Sequence, residues 1–278
     1  MPYRAEISRT NPSCFIILVD QSASMREPID NDGKTKAQAV ADAVNGMLQN
    51  IISKCTKSDG IRDYYHTGVI GYGGDGVGPV FSGILREKQL VPVSLVGNYP
   101  LRVEQREKMT TDRKGDPVIK KSNFPIWFEP RSAGNTPMCE AIGLATQYLK
   151  KWLPPHANCF PPIVINISDG ESSDGSPDSA AHELMALSSN DGPVLLFNLF
   201  ISGVTKKQVE YPHSDTQLGD EYARALFNIS SPLTTYMRRV LNDEGFPVEE
   251  GARGFVYNAG FSALIRFLDI GTRPSLLR

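Results

Sequence analysis

The strongest constraint on the fold is an alternation of continuous apolar runs with amphipathic stretches. The first apolar run, residues 14–19, has no polar alternation, which is typical of a strand buried on both faces. After a polar loop, apolar residues recur every three or four positions over 37–55, and this spacing predicts one long amphipathic helix. Further strands are predicted at 67–70, 163–167, 194–201 and 254–257. Strands that alternate with helices indicate an α/β fold with a mostly parallel sheet covered on both faces.

Pairs of a hydroxyl residue and a proline mark predicted helix starts. The hydroxyl caps the first turn, and proline is tolerated at the first helical position because its missing N–H has no helical partner there. Such pairs occur at Thr136-Pro137, Ser176-Pro177 and Ser231-Pro232. Apolar positions at helical spacing follow the first pair as far as Trp152, and a closing helix is predicted around residues 264–268.

The composition is that of an ordinary globular protein. The chain has 278 residues, 40% hydrophobic and 22% charged, which suits one large domain or two small ones. A net charge of -2 argues against a dedicated nucleic-acid binder. No apolar run approaches the roughly 20 residues that span a membrane, and the 4 cysteines include no C-x-x-C pair. We therefore expect a cytoplasmic protein with reduced thiols and neither a membrane nor a nucleic-acid partner.

Residues 84–131 break the alternation of strands and helices. They hold ten lysines and arginines against six acidic residues, in a chain that is negative overall. Short β-like pieces are separated there by prolines and glycines. We interpret the stretch as a basic insertion, a hairpin or arm that decorates the sheet; the alternative is a solvated charged loop without a special role. No interdomain linker is recognisable, so residues 1–278 are predicted to form one domain.

Oxygen-bearing side chains follow two predicted strands and precede one predicted helix. Asp20, Ser22 and Ser24 come directly after the first strand, Asp169 comes after the strand at 163–167, and Thr136 stands at the helix entrance. Open α/β sheets place their ligand crevices at the carboxyl ends of parallel strands. Carboxylates and hydroxyls there suit a hard cation, Mg²⁺ above all. The sequence therefore predicts a metal site at this edge of the sheet.

Each of these residues has a simpler interpretation when taken alone. Ser22 and Ser24 could cap a helix, and Thr136 could be the N-cap in front of a proline. Asp169 followed by glycine could form a turn. Capping does not require two carboxylates and three hydroxyls on one sheet edge, so the metal site is the better explanation of the five residues together.

The three elements resemble the metal-ion-dependent adhesion site (MIDAS) of von Willebrand factor A (VWA) domains, also found in integrin I domains. The D-x-S-x-S motif matches at Asp20, Ser22 and Ser24, the separate threonine at Thr136, and the late Asp-Gly at Asp169. The likeness covers the chain from Ser13 to about Gly271. It implies a Rossmann-like, doubly wound VWA fold and those five residues as ligands of Mg²⁺, with Mn²⁺ and Ca²⁺ as alternatives.

The resemblance also implies a function in protein recognition. In the family, a Glu or Asp of a protein partner completes the metal's ligand shell, so the chain is expected to be a non-catalytic adaptor. Residues 127–138 look most like bacterial cytoplasmic VWA proteins, including the tellurite-resistance type. That type implies a signalling or stress/defence assembly, with a Ser/Thr kinase, a PP2C-like phosphatase or an AAA+ ATPase as candidate partners.

A metal-dependent phosphohydrolase that uses Asp20 is the main alternative. An aspartate at a strand end resembles the nucleophile of haloacid-dehalogenase phosphatases, which carry a second aspartate two residues later. Ser22 stands at that second position here, so the usual general acid is missing. The sequence also lacks G-x-S-x-G and the phosphate-binding G-x-x-x-x-G-K-[ST] motif. We therefore expect no catalytic residues.

Two further loops contain residues typical of binding sites, but we assign no site to either of them. Residues 71–76 match G-x-G-x-x-G, but no helical pattern follows them, and a dinucleotide site needs that helix for its pyrophosphate. We interpret these glycines as a loop beside the metal edge. The acidic stretch 169–178 is interpreted as a solvated loop that adds negative potential around the cation, and no further ligand is assigned from it.

Overall fold

The protein is a mixed α/β structure built on one central sheet. The computed structural model describes residues 3–29, 33–111, 117–201 and 208–272. The strands in these residues are β1 (Ser13–Gln21), β2 (Thr56–Lys57), β3 (Gly60–Ile61), β4 (Tyr65–Gly73), β5 (Gly76–Pro79), β6 (Val91–Pro92), β7 (Arg102–Thr111), β8 (Pro117–Ile126), β9 (Ile163–Ser168), β10 (Ser188–Ser189), β11 (Gly192–Pro193), β12 (Leu195–Phe200), β13 (Val209–Glu210) and β14 (Phe255–Tyr257).

Helices lie between most of the longer strands. They are α1 (Lys36–Cys55), α2 (Val93–Asn98), α3 (Met138–Trp152), α4 (Asp178–Met185), α5 (Glu221–Asn228), α6 (Thr235–Asp243) and α7 (Phe261–Thr272). Short 3-10 helices add single turns at Ala23–Arg26, Gly83–Leu85 and Pro154–His156. None of the helices in the described part of the chain combines the length and the hydropathy that crossing a membrane requires.

The central sheet is parallel in its middle and antiparallel at both ends. Its order is β13-β14-β12-β9-β1-β4-β5, with β6 also paired to β4. The pairs β1–β4, β1–β9, β9–β12 and β12–β14 are parallel, whereas β5, β6 and β13 run antiparallel to their neighbours. The carboxyl ends of β1 and β9 therefore lie side by side at one edge of the sheet.

The strand β1 is buried over its whole length because apolar layers cover both faces of the sheet. Phe15, Ile17 and Val19 belong to a core cluster with α1, α6 and α7. Cys14, Ile16 and Leu18 point to the opposite face, into a second cluster with α3, α4 and α5. This arrangement explains the run without polar alternation, because both sets of side chains leave water. The prediction of a mostly parallel sheet flanked by helices is confirmed.

Helix starts differ in detail from those predicted. Helix α1 begins after Thr35, whose hydroxyl accepts the Gln38 amide at 3.2 Å in a capping box. Helices α3 and α4 begin one residue later than predicted, so that Pro137 and Pro177 are the N-cap residues. The prediction of a helix start at Ser231-Pro232 was wrong: α6 begins after Thr234, which supplies the cap.

The glycine cluster 71–76 lies beside the carboxyl end of β1, where the loop was predicted, but most of it forms paired strands and not a loop. Gly71 and Gly73 belong to β4, and Gly76 and Gly78 belong to β5, which forms a tight antiparallel hairpin with it. Gly76 has a φ of 91°, in the left-handed region that the turn requires. The glycines therefore build one end of the sheet.

The basic stretch 84–131 contains the antiparallel pair β7–β8, here called the arm. The arm lies along α1, where the Arg106 guanidinium is 3.8 Å from the centre of the Phe124 ring and pairs with Asp42 at 2.8 Å. Its tip, residues 112–116, lies outside the described residues. The flanks of the stretch belong to the core: Val96 and Trp127 are buried, and the Trp127 indole donates to the Val96 carbonyl at 2.7 Å.

Candidate metal centre

Asp20 lies one residue before the end of β1, and its side chain is completely buried. Its Oδ1 accepts the Ser22 backbone amide at 2.8 Å, and its Oδ2 accepts the Ser168 hydroxyl at 2.7 Å. Ser168 is the last residue of β9, so this bond ties the ends of the two neighbouring strands together. The protein itself thereby holds both carboxylate oxygens in place.

A chain of hydrogen bonds connects the two serines of the D-x-S-x-S motif to Asp169. The Ser22 and Ser24 hydroxyl oxygens are 3.0 Å apart, and the Ser24 hydroxyl donates to Asp169 Oδ1 at 2.7 Å. Ser22 is buried, whereas Ser24 is exposed. Four of the five predicted ligands therefore form one cluster that runs from the interior to the surface.

Thr136 reaches the same edge through its loop. The Ala23 amide donates to the Gly134 carbonyl at 3.0 Å, which holds the loop against the D-x-S-x-S segment. On the other side, the Thr136 amide donates to the Ser173 hydroxyl at 3.0 Å, and the Ser173 amide donates to the Thr136 carbonyl at 2.9 Å. The described hydrogen bonds of Thr136 thus come from its backbone. Its side chain is not joined to the other four by any of them.

Gly134 lets this loop come close to the β4–β5 turn. Its φ is 69°, and a Cβ at this position would lie 2.3 Å from the Cα of Gly74. No residue with a side chain fits that contact without moving backbone. At the same contact, the Gly74 amide donates to the Ala133 carbonyl. The turn between β4 and β5 therefore holds the loop that carries Thr136 in place.

The acidic loop has a structural role that the sequence analysis did not assign. Asp174 accepts the backbone amides of Cys139 and Glu140 at 3.0 and 2.9 Å, and the Ser172 hydroxyl at 2.7 Å. Burial acts to raise the pKa of Asp174, but these hydrogen bonds outweigh it and lower the pKa below its ordinary value. Asp174 thus caps α3, and Thr136 is not needed as its N-cap side chain.

A lysine outside the predicted ligand set also lies at the site. The Lys36 ammonium donates to Asp169 Oδ2 and to Glu27 Oε2, both at 2.7 Å. Its side chain is only 5% exposed, and that of Asp169 is fully buried. Burial acts to lower the pKa of Lys36, but the bonds and charges of Asp169 and Glu27 raise it overall. The ammonium is therefore charged and compensates one of the two carboxylates.

The charge of Asp20 is less well compensated than that of Asp169. Burial raises the pKa of the Asp20 carboxyl, hydrogen bonds from Ser22 and Ser168 oppose the rise, and the nearby charge of Asp169 adds to it. No cation contacts Asp20 among the described hydrogen bonds and ion pairs. The negative charge at this position is therefore the least compensated in the cluster.

Two of the oxygen distances, which are also ordinary hydrogen-bond lengths, are compatible with a small hard cation. Neighbouring ligands around an octahedral Mg²⁺, with bonds of 2.0–2.1 Å, lie about 2.9 Å apart. The Ser22–Ser24 and Ser24–Asp169 oxygen distances, 3.0 and 2.7 Å, are close to that value. Within the described residues, no three or more His, Cys, Asp or Glu side chains gather as metal ligands. A cation here would depend on hydroxyl oxygens as much as on carboxylates.

Lys36 could have been suspected from its position in the sequence. It is the first residue of α1, where the helix dipole disfavours a positive charge. A lysine in that place is unfavourable unless an acidic group lies near it. The identity of the acidic group, 133 residues away, could not be read from the sequence. Ser168 gave no signal beyond its place at a strand end.

Comparisons with known proteins give distant structural likenesses. No family model matches the chain, and no curated protein matches it. Among solved structures, the chain is similar to a pilus adhesin from Streptococcus pneumoniae, at 15% identity and a TM-score of 0.32, over 61% of this chain and 22% of that one. It is also similar to an adhesive tip pilin from group B Streptococcus agalactiae, at 13% identity and a TM-score of 0.28, over 87% and 72%. The chain thus spans about a fifth of the first protein.

Proposed function

We propose that this chain is a single VWA domain, doubly wound, whose MIDAS binds Mg²⁺ and captures an acidic side chain of a protein partner. The observation that carries the proposal is the hydrogen-bonded cluster of Asp20, Ser22, Ser24 and Asp169 at adjacent parallel strand ends. Thr136 would be the fifth ligand, since its loop is bonded to the segments on both sides. Mn²⁺ and Ca²⁺ are alternative ions for the same oxygens.

The residues of the cluster differ in burial, and this difference would give them different positions around the ion. Asp20 and Ser22 would hold the inner side of the ion, and Ser24, which is exposed, would lie on the side open to a partner. A divalent cation, when bound, supplies positive charge and an exchangeable coordination position. Because the proposed ligands include only two carboxylates and Lys36 is paired with one of them, an anionic group from outside would be attracted to the bound ion.

We infer a non-catalytic role, as an adaptor in a bacterial signalling or stress/defence assembly. A kinase, a PP2C-like phosphatase or an AAA+ ATPase is the proposed kind of partner, on the resemblance alone. Against the phosphohydrolase alternative, Asp20 is fully buried, and Ser22 stands where haloacid-dehalogenase phosphatases carry their second aspartate, so a general acid is missing.

The first prediction concerns the metal. Isothermal titration with Mn²⁺ should detect one site in the wild-type protein, and Asp20→Asn should weaken binding at least about tenfold because it removes a charged ligand. Asp59→Asn is the matched control, since Asp59 is an exposed carboxylate paired with Arg62. Equal Mn²⁺ binding by wild type and Asp20→Asn would refute the site.

Partner capture and hydrolysis separate the two candidate functions. Immobilised wild-type protein should retain a partner from a bacterial lysate in Mg²⁺ and release it in EDTA, while Asp20→Asn retains none. A generic phosphate ester should not be hydrolysed. Metal-dependent hydrolysis that Asp20→Asn abolishes would instead establish the phosphohydrolase.

A further inference from the structure

Lys36 lies beside the proposed metal ligands but does not belong to the MIDAS motif. Its ammonium lies 2.7 Å from Asp169 Oδ2, and the other oxygen of the same carboxylate accepts the Ser24 hydroxyl at 2.7 Å. Asp169 is thus shared: one oxygen faces the cluster of proposed ligands, and the other is bound to an internal cation. Any ion that binds the cluster must share this carboxylate with Lys36.

The position of Lys36 shows that the pairing with Asp169 is not incidental. The side chain is 5% exposed, so the ammonium has left water, which is costly for a charge unless it is paired and hydrogen-bonded. It also stands at the start of α1, where the helix dipole opposes it. The second partner, Glu27, is 64% exposed and screened by solvent. The buried carboxylate of Asp169 therefore supplies most of the compensation.

We propose that Lys36 is a built-in counter-cation that holds Asp169 in place without metal and lowers the affinity of the cluster for divalent cations. This inference rests on the proposed function, because it needs the cluster to bind metal. The buried charged groups, Asp20, Asp169 and Lys36, carry a net charge of one negative unit, and a divalent ion makes their sum positive. Glu27 is left out of this sum because its carboxylate is mostly exposed to solvent, which screens its charge. Without Lys36, the same ion would be neutralised by the protein itself.

The consequence for ligand choice follows from this balance. A site that remains positive after metal binding attracts a carboxylate of the partner more strongly than a neutral site would. Lys36 would therefore have two effects: it weakens metal binding by the cluster alone, and it strengthens the attraction of the metal-bound site for an anionic group of the partner. Lys36 is a positioning residue in this proposal, acting through Asp169 on the site.

The test compares Mn²⁺ affinities, measured by isothermal titration, of the wild type, Lys36→Met and Lys36→Gln. Both variants remove the charge, but glutamine keeps a hydrogen-bond donor that can reach toward Asp169. Both should bind Mn²⁺ roughly tenfold more tightly than wild type, since a unit positive charge near the ion has gone. Lys34→Met is the matched control: it removes a lysine two residues away that pairs with Asp42, and should change the affinity less than twofold.

Thermal unfolding with and without Mn²⁺ provides the second readout and checks that the variants fold. The melting temperature of Lys36→Met should fall in EDTA, because Asp169 is left buried and unpaired, and Mn²⁺ should raise it more than it raises that of wild type. The Lys36→Gln protein should lose less stability in EDTA than the Lys36→Met protein.

The outcomes distinguish this inference from the proposed function. If wild type binds Mn²⁺ through Asp20 and the Lys36 variants bind it equally or more weakly, the counter-cation role is overturned and the metal site stands. If neither wild type nor the Lys36 variants bind Mn²⁺, both proposals fall. Binding that appears only in the Lys36 variants would overturn the proposed function for the wild-type protein and support the counter-cation role of Lys36.

Discussion

At the residue scale, the candidate site is defined by groups placed where their chemistry is unfavourable. Asp20 is a carboxylate in a fully buried strand end, and Lys36 is a cation at a helix N-terminus. Neither position is explained by secondary structure or packing, which would be better served by an apolar or an acidic residue, respectively. Such conflicts between local preference and observed residue are concentrated at functional sites.

The raised pKa of Asp20 leads to a prediction about stability and pH. A carboxyl whose folded-state pKa lies above its unfolded value, close to 3.8, contributes stability at low pH that is lost as pH rises through the folded pKa. Metal-free wild type should therefore lose melting temperature relative to Asp20→Asn as pH increases from about 4 toward neutrality. Differential scanning fluorimetry in EDTA measures this difference. A constant gap between the two proteins across that range would contradict the burial argument.

At the element scale, helix α3 is anchored by a residue far from it in sequence. Its first amides donate to Asp174, some 35 positions later in the chain, in the loop that follows β9. The same loop carries Asp169 at its start and binds the Thr136 backbone through Ser173. The acidic loop therefore fixes the threonine loop, the start of α3 and one proposed ligand together.

Replacing Asp174 tests this anchoring. Asp174→Ala should lower the free energy of unfolding by about 1 kcal/mol at neutral pH, the usual effect of removing a helix cap. Because the folded-state pKa of Asp174 is lowered, its contribution should be full above about pH 4 and vanish as pH falls through the folded value. Urea unfolding at neutral and acidic pH measures both. Asp178→Ala, a change in the first turn of α4, is the control, and equal effects of the two changes would argue against a special role for Asp174.

The contrast between these elements shows what the sequence could predict. Strands β1, β9 and β12 and helix α1 were predictable because their burial leaves a pattern within a few consecutive residues. The starts of α3 and α6 were misplaced because the groups that determine them lie elsewhere in the chain or differ from the nearest hydroxyl. The short helix α5 was missed because it has too few turns for a clear periodicity.

Some residues of the candidate site were likewise predictable from the sequence, and others were not. Its motif residues lie at strand ends and a helix entrance, so their convergence could be inferred from the topology of a parallel sheet. Lys36 and Ser168 join them through side chains across more than a hundred residues, and no local pattern carries that information. Charge compensation at the site is therefore known only from the structure.

At the scale of the whole molecule, a buried chain of hydrogen bonds crosses the sheet beneath the site. The Tyr72 hydroxyl donates to Asn166 at 2.7 Å, Asn166 donates to Asn198 at 3.0 Å, and Asn198 donates to Ser230 at 2.9 Å. These residues belong to β4, β9, β12 and the segment after α5, and all are buried. The network links three strands and one helix end, and its Tyr72–Asn166 bond passes over β1, which lies between β4 and β9.

Breaking the middle of this network should destabilise the whole fold. Asn166→Leu leaves the Tyr72 hydroxyl and the Asn198 side chain without their shared partner, and should reduce the free energy of unfolding by about 3 kcal/mol. Urea unfolding followed by circular dichroism measures the change. Asn158→Leu, at an exposed asparagine, is the matched control and should cost well under 1 kcal/mol. A loss of similar size in both variants would show that the network contributes little.

The two ends of the central sheet bear on how the molecule behaves at high concentration. One outer strand, β5, has four residues and finishes at Pro79, and the other, β13, has only two. Short strands and prolines at such margins offer few unpaired backbone groups, so one copy cannot easily extend the ladder of another into a fibre. Pairing with another chain through these two outer strands is therefore disfavoured, and the loops and helices offer side chains that can provide selectivity instead.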